Sequence, residues 1–161
     1  MTSAACVRIV VLILGLVCAA GNRSLAAQSE ASADVKALTA AAEHFLDVFQ
    51  NLDWEKFRAV WTSEPTVFFP FNETPERVTG AQAVEARWQE FFNSRRTADR
   101  KPPYFKVTPQ QLLAQVHGDA GIVTFNLGQP PGPMGRRTLV FVKEKGEWKL
   151  AHLHASTAGQ R

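Results

Sequence analysis

RRTLVFVKEKGEWKLAHLHAS, from Arg136 to Ser156, is the stretch that decides the fold. Its two halves, Arg136 to Lys143 and Glu147 to Ser156, are rich in β-branched and aromatic residues and read as strands. Lys145-Gly146 between them closes a hairpin. The pattern extends backwards. Ala120 to Leu127 is another strand, entered through the tight turn Gly118-Asp119. Phe105 to His117 is a fourth, with Leu112, Ala114 and Val116 alternating and Pro109 marking a bulge or an edge. Gly128 to Gly135 is a Pro/Gly loop. The last third of the chain is therefore an antiparallel meander of four strands.

Upstream of it the period changes. Between Asp34 and Leu52, apolar residues recur at Val35, Leu38, Ala42, Phe45, Phe49 and Leu52, one stripe of a helix with Asp34 as N-cap. Asn51-Leu52-Asp53 breaks it, and Asp53 caps a second helix expected from Trp54 to Trp61. Thr66 to Phe71 reads as a strand ended by Pro70, Asn72 to Pro75 as a turn and Arg77-Val78 as a short paired strand. Thr79-Gly80 opens a third helix from Ala81 to about Arg95, with Ala81, Val84, Trp88 and Phe91 in register. Helices early and strands late argue an α+β fold rather than alternating α/β. A meander must bury one face, and only these helices can cover it. The expectation is a cone-shaped, curved antiparallel sheet wrapped around three helices, with a pocket at the wide end.

The first residues belong to a different kind of segment. Arg8 precedes the unbroken apolar run Ile9 to Ala20, and Asn22, Arg23 and Ser24-Leu25-Ala26-Ala27 follow. A basic start, a short apolar centre and a small-residue exit predict a signal peptide over 1–26 and hence an exported protein, periplasmic or secreted. The run is shorter than the roughly 20 residues that span a bilayer. Both cysteines, Cys6 and Cys18, lie in this leader, so the rest of the chain has no disulfide and no thiolate metal site. The expected division is leader 1–26, flexible lead-in 27–34, one domain over 35–157 and a tail, 158–161. With no second apolar span, no membrane contact is expected once the leader is removed.

The chain has 161 residues, 45% of them hydrophobic, which excludes disorder, collagen and a coiled coil. A formal charge of +3 gives no case for a nucleic-acid partner. The basic cluster Arg95, Arg96, Arg100 and Lys101 closes the third helix, where it complements the dipole; no aromatics interleave with it as in a nucleic-acid reader. There is no phosphate loop, dinucleotide fingerprint, serine nucleophile elbow or cysteine pair, so no cofactor is expected. Asn22-Arg23-Ser24 and Asn72-Glu73-Thr74 fit a glycosylation sequon, and Pro130-Pro131-Gly132-Pro133 reads as a hairpin tip.

This layout, with the terminal segment from Trp148 to Ser156, resembles the nuclear transport factor 2-like superfamily and within it the SnoaL-like branch. Phe45-Leu46, the Asn51-Leu52-Asp53-Trp54 break, Trp61 before the first strand and Gly80 leading into a helix with Trp88, Phe91 and Phe92 carry the likeness over about residues 36 to 157. The terminal pattern of Trp148, His152, His154 and Ser156 also resembles the association domain of the calcium/calmodulin-dependent kinase, an oligomerisation module. The resemblance implies a cone fold, and an open curved sheet leaves one broad face to cover, so a homodimer is expected. The resemblance leaves activity open, because this fold serves enzymes, binding modules and assembly domains alike.

Ketosteroid isomerase and the polyketide cyclases of the superfamily use a cavity carboxylate as a general base. Here the strands Thr66 to Phe71 and Ala120 to Leu127 carry no carboxylate. Asp47, Asp53 and His154 are the catalytic candidates that remain, with Glu64 before the first strand a further carboxylate. Alternation along the last strand puts Trp148, Leu150, His152, His154 and Ser156 on one face and Ala151 and Ala155 on the other. The His face is expected outside, in dimer contact, leaving the small alanines to face the cavity. Two histidines lack a third ligand, so no metal is expected. Trp61, Trp88, Phe69, Asn126 and Ala155 are the expected ligand contacts, and Arg136 and Arg137 a possible bidentate clamp for a carboxylate. The reading is a small-molecule-binding domain for an apolar or amphipathic ligand. The alternatives are a cyclase- or isomerase-like enzyme and an interaction module.

Overall fold

A computed structural model describes residues 31–70, 73–128 and 132–158. The chain divides into two units, Met1–Asp34 and Val35–Arg161, and the second holds the sheet. The leader over 1–26, the sequon at Asn72 and the Pro130-Pro131 tip lie outside the described residues.

Helix α1 covers residues 31–50, so residues 31–33 are helical and Asp34 lies inside the helix rather than capping it. The chain turns through Leu52 at φ 52. Asp53 then caps α2 (Trp54–Ala59), its carboxylate accepting from the Lys56 N–H as the sequence predicts. Strand β1 (Trp61–Phe68) starts earlier than expected, because Trp61 pairs with Leu150 instead of ending α2. The ladder shifts between Trp61 and Thr66, around the buried Pro65, which has no N–H to donate. Strand β2 (Val78–Thr79) pairs with β1, and α3 (Ala81–Arg95) follows as predicted.

Strands β3 (Gln110–His117), β4 (Ala120–Leu127), β5 (Met134–Glu144) and β6 (Glu147–Ala158) form the expected meander. The β5–β6 turn has both central residues at positive φ, Lys145 at 53° and Gly146 at 87°, the geometry that matches strand twist. The curved, open six-stranded sheet has the order β2-β1-β6-β5-β4-β3. It is antiparallel except where β1 runs parallel to β6. Consecutive strands can pair through short turns, but a parallel pair needs a long connection. That connection here is everything from β2 to β5.

One face of the sheet is buried under the helices. Val123, Phe125, Leu139, Phe141, Leu150 and Leu153 meet Leu38, Phe45, Val48, Phe57, Val84 and Trp88. Helix α1 comes close to β4 at Gly121, where a β-carbon would stand 2.7 Å from both δ-methyls of the fully buried Leu38. Among the described residues no helix is long and apolar enough to cross a membrane.

Candidate functional site

The buried side does not fill completely. It encloses a cavity of about 270 Å³, partly open to solvent. Phe45, Leu46 and Phe49 of α1 and Trp88 and Phe91 of α3 form the helical wall. Phe125, Leu139, Leu153 and Ala155 form the sheet wall. Phe105 and Val107 close the side between α3 and β3. That segment is held there by two hydrogen bonds to the end of α1: Tyr104 N–H to Gln50 O at 3.0 Å, and Val107 N–H to Gln50 Oε1 at 3.4 Å. Phe49 stacks on Phe91 at 5.7 Å and meets Phe105 edge-on at 5.1 Å, so the wall is a set of mutually supported rings. Among the described residues the buried Trp88 indole N–H meets no acceptor.

A bulge in β6 decides which side chains reach this space. Val140 pairs with His152 and Phe141 with Leu150, so Ala151 is an extra residue. Strict alternation would put Trp148 and Leu150 with the histidines. The extra residue resets the phase instead. Trp148 and Leu150 are buried before it, Leu153 and Ala155 after it, and His152 and His154 turn to the outer face. The expected inward alanine is therefore Ala155 alone.

Of the other expected contacts, Trp88 lines the cavity. Phe69 lies behind it, packed on Trp88 at 4.8 Å, and Trp61 sits in the core against Phe45 and Phe57. Asn126 occupies the opposite face of β4, donating to Gln111 Oε1 across the β3 edge at 3.2 Å. Its neighbours Phe125 and Leu127 take the inward places.

The three catalytic candidates all lie elsewhere. Asp47 is exposed and accepts from Asn51 at 3.0 Å. Asp53 is occupied as the α2 cap and pairs with Lys56 Nζ at 2.8 Å. The Lys56 hydrogen bond holds its carboxyl below the ordinary value, the reverse of what a general base near neutrality needs. His154 is exposed beside Phe68, and Glu64 is exposed as well. No described Asp, Glu or His lines the cavity, and the described residues contain no cluster fit to hold a metal. Arg95 and Arg96 of the basic cluster are tied into the fold, while Arg100 and Lys101 are exposed. Arg96 donates to Leu52 O at 2.6 Å and Arg95 lies over the Phe91 ring.

Sequence reasoning gave too little weight to Arg137. Its spacing of two from Leu139 and four from Phe141 puts it on the buried face, and it is the one charged side chain among the described residues of the wall. Arg136, its expected partner in a clamp, is exposed on the other face.

On the outer face His152 Nδ1 and Thr66 Oγ1 share a hydrogen bond of 2.7 Å. Burial first, then the neighbouring His154 and Arg77 charges, hold the His152 imidazole below its usual 6.5. The folded state thus favours the neutral ring, and on acidification the unfolded chain binds more protons. Stability must therefore fall as pH drops through about 6.5 and below. The thermal midpoint should decline from about pH 7.5 to 5.5, and decline less in His152→Gln. Equal slopes in the two proteins would remove His152 as the cause.

The geometry defines a class: a curved open sheet closed by helices around an apolar hollow, the nuclear transport factor 2-like fold. Solved structures agree with it. A protein from Streptomyces avermitilis, described as a dehydratase of the NTF2-like family, superposes with a TM-score of 0.67 at 18% identity, covering 80% of this chain and 99% of that one. The S. rosetta CaMKII hub gives 0.57 at 24% identity, covering 77% and 96%. A protein from Parabacteroides distasonis, described as a ketosteroid isomerase, gives 0.52 at 18%, covering 68% and 78%. No curated protein matches the sequence. The SnoaL-like domain model matches residues 38–160, and the chain belongs to that family.

Proposed function

We propose that this is an exported SnoaL-like protein that binds a small apolar or amphipathic molecule in the cavity between helices and sheet, and that it acts as a homodimer. One observation carries the binding reading: the hollow of about 270 Å³ is walled by aromatic and aliphatic side chains with a single charged group. Such a lining, near the lower end of ligand-pocket volumes of about 300 Å³, suits a compact guest with few polar atoms. The enzyme alternative needs a base, and no carboxylate or imidazole of the described residues reaches the space. Export rests on the leader pattern of residues 1–26. The homodimer rests on the outer sheet face around Thr66, Phe68, His152 and His154, and on the likeness to a hub domain.

A thermal-shift screen with small aromatic and branched aliphatic alcohols, amides and acids tests the binding reading. A cavity binder gains stability as the logarithm of ligand concentration once that exceeds Kd, so the midpoint should climb steadily with dose. A flat response across the whole panel would overturn it.

A further inference from the structure

The wall of the cavity carries one group that an apolar pocket has no structural need for. Arg137 lies on the buried face of β5 and lines the hollow. Nη1 donates to two carbonyls, Arg136 O at 2.8 Å and Ser156 O at 3.1 Å. Those bonds use both of its N–H groups and fix the plane of the fork. Nη2 and Nε are left with three N–H donors and no acceptor among the described residues. No described carboxylate pairs with Arg137; the ion pairs seen are Lys56–Asp53, Arg58–Glu85, Arg87–Glu90 and Lys149–Glu147.

The fold also makes room for the head. Gly135 precedes Arg137 by two residues on the same face, and a β-carbon there would stand 3.0 Å from Nη1 and 3.4 Å from Nη2. Burial pulls the guanidinium below its ordinary pKa, a sign that its cation is poorly solvated, though arginine stays charged at neutral pH.

We propose that the cavity takes an amphipathic monocarboxylate, its carboxylate accepting from Nη2 and Nε of Arg137 and its aromatic or branched body lying against Phe49, Phe91, Phe125 and Leu153. The proposal deepens the small-molecule reading and rests on it. A guanidinium edge with paired donors matches a carboxylate in a bidentate bond, which an alcohol or amide cannot form with equal strength. The ligand carries one negative charge because one cation awaits it. A second charged group would sit against rings and aliphatic chains unpaired, at a desolvation cost nothing repays.

Calorimetric titration with 3-phenylpropionate and its neutral isostere 3-phenylpropanamide tests this. The wild-type protein should bind the acid tighter than the amide by about tenfold or more, the usual gain of a hydrogen bond to a charged group. In Arg137→Gln the preference for the acid should vanish while the amide binds as before. Arg137→Lys, which keeps the charge and loses the fork, should retain part of the preference. Arg136→Gln, on the other face, should retain all of it. Equal binding of acid and amide by the wild type, or a preference that survives in Arg137→Gln, would overturn the carboxylate assignment and leave the cavity reading standing. Binding of neither compound would overturn both. The comparison on the wild type decides the matter even if Arg137→Gln fails to fold.

Discussion

Phe57→Ala should cost about 3–5 kcal/mol of folding stability, a large part of the roughly 5–15 kcal/mol that holds a domain together. Phe57 is 1% exposed and stands where α1, α2, α3 and β1 converge. Its ring lies 4.8 Å from Phe92, 5.4 Å from Trp88, 5.7 Å from Phe45 and 5.8 Å from Trp61. None of these neighbours can close the gap. Phe45 and Trp88 are committed to the cavity wall and Trp61 to its strand. Truncation therefore loses both the transfer energy of the ring and the contacts of its neighbours. Urea unfolding, read as the change in midpoint at constant slope, measures the cost. A loss below about 1 kcal/mol, the usual size of a surface change, would mean that the aromatic cluster repacks freely.

That cluster was legible in the sequence as far as helical spacing goes. Phe45, Phe49, Val84 and Trp88 all fall on stripes that periodicity identifies. So did the β5–β6 hairpin, because Lys145-Gly146 states its own turn geometry. Spacing could not say which buried aromatics meet each other and which face a hollow. Phe49 and Phe125 look the same in sequence as Phe57, and only the curvature of the sheet separates wall from core. The parallel contact of β1 with β6 was illegible because nothing local encodes a pairing across most of the chain. The bulge at Ala151 was illegible for the same reason. It exists to reconcile Phe141 with Leu150 and Val140 with His152, and a single strand's pattern contains only one of the two partners. Arg137 was legible by its spacing from Leu139, yet a strand-end arginine ordinarily reads as solvated. Its meaning came from the depth of the pocket, not from its position in the chain.

Ala155→Phe should abolish ligand binding and leave the protein folded. Ala155 is 5% exposed, lines the cavity and sits opposite Arg137 in the β5–β6 register. A phenyl ring grown from its β-carbon has one direction open, into the hollow of about 270 Å³ between Leu153, Phe125 and Phe91. There it occupies the volume a ligand body needs and covers the free edge of Arg137. Affinity for 3-phenylpropionate and for its amide should fall together by about 100-fold or more, equal to about 2.8 kcal/mol. The effect on stability has the opposite sign from most insertions into a core. Overpacking a solid interior costs about 1–3 kcal/mol, whereas filling an apolar void restores dispersion contacts its lining lacks. The thermal midpoint of Ala155→Phe should therefore match or exceed that of the wild type. A variant that loses stability while still binding the ligand would show that the ring met packed side chains and that the guest sits elsewhere. That pairing of outcomes separates a hollow built for an occupant from a gap that the side chains close in solution.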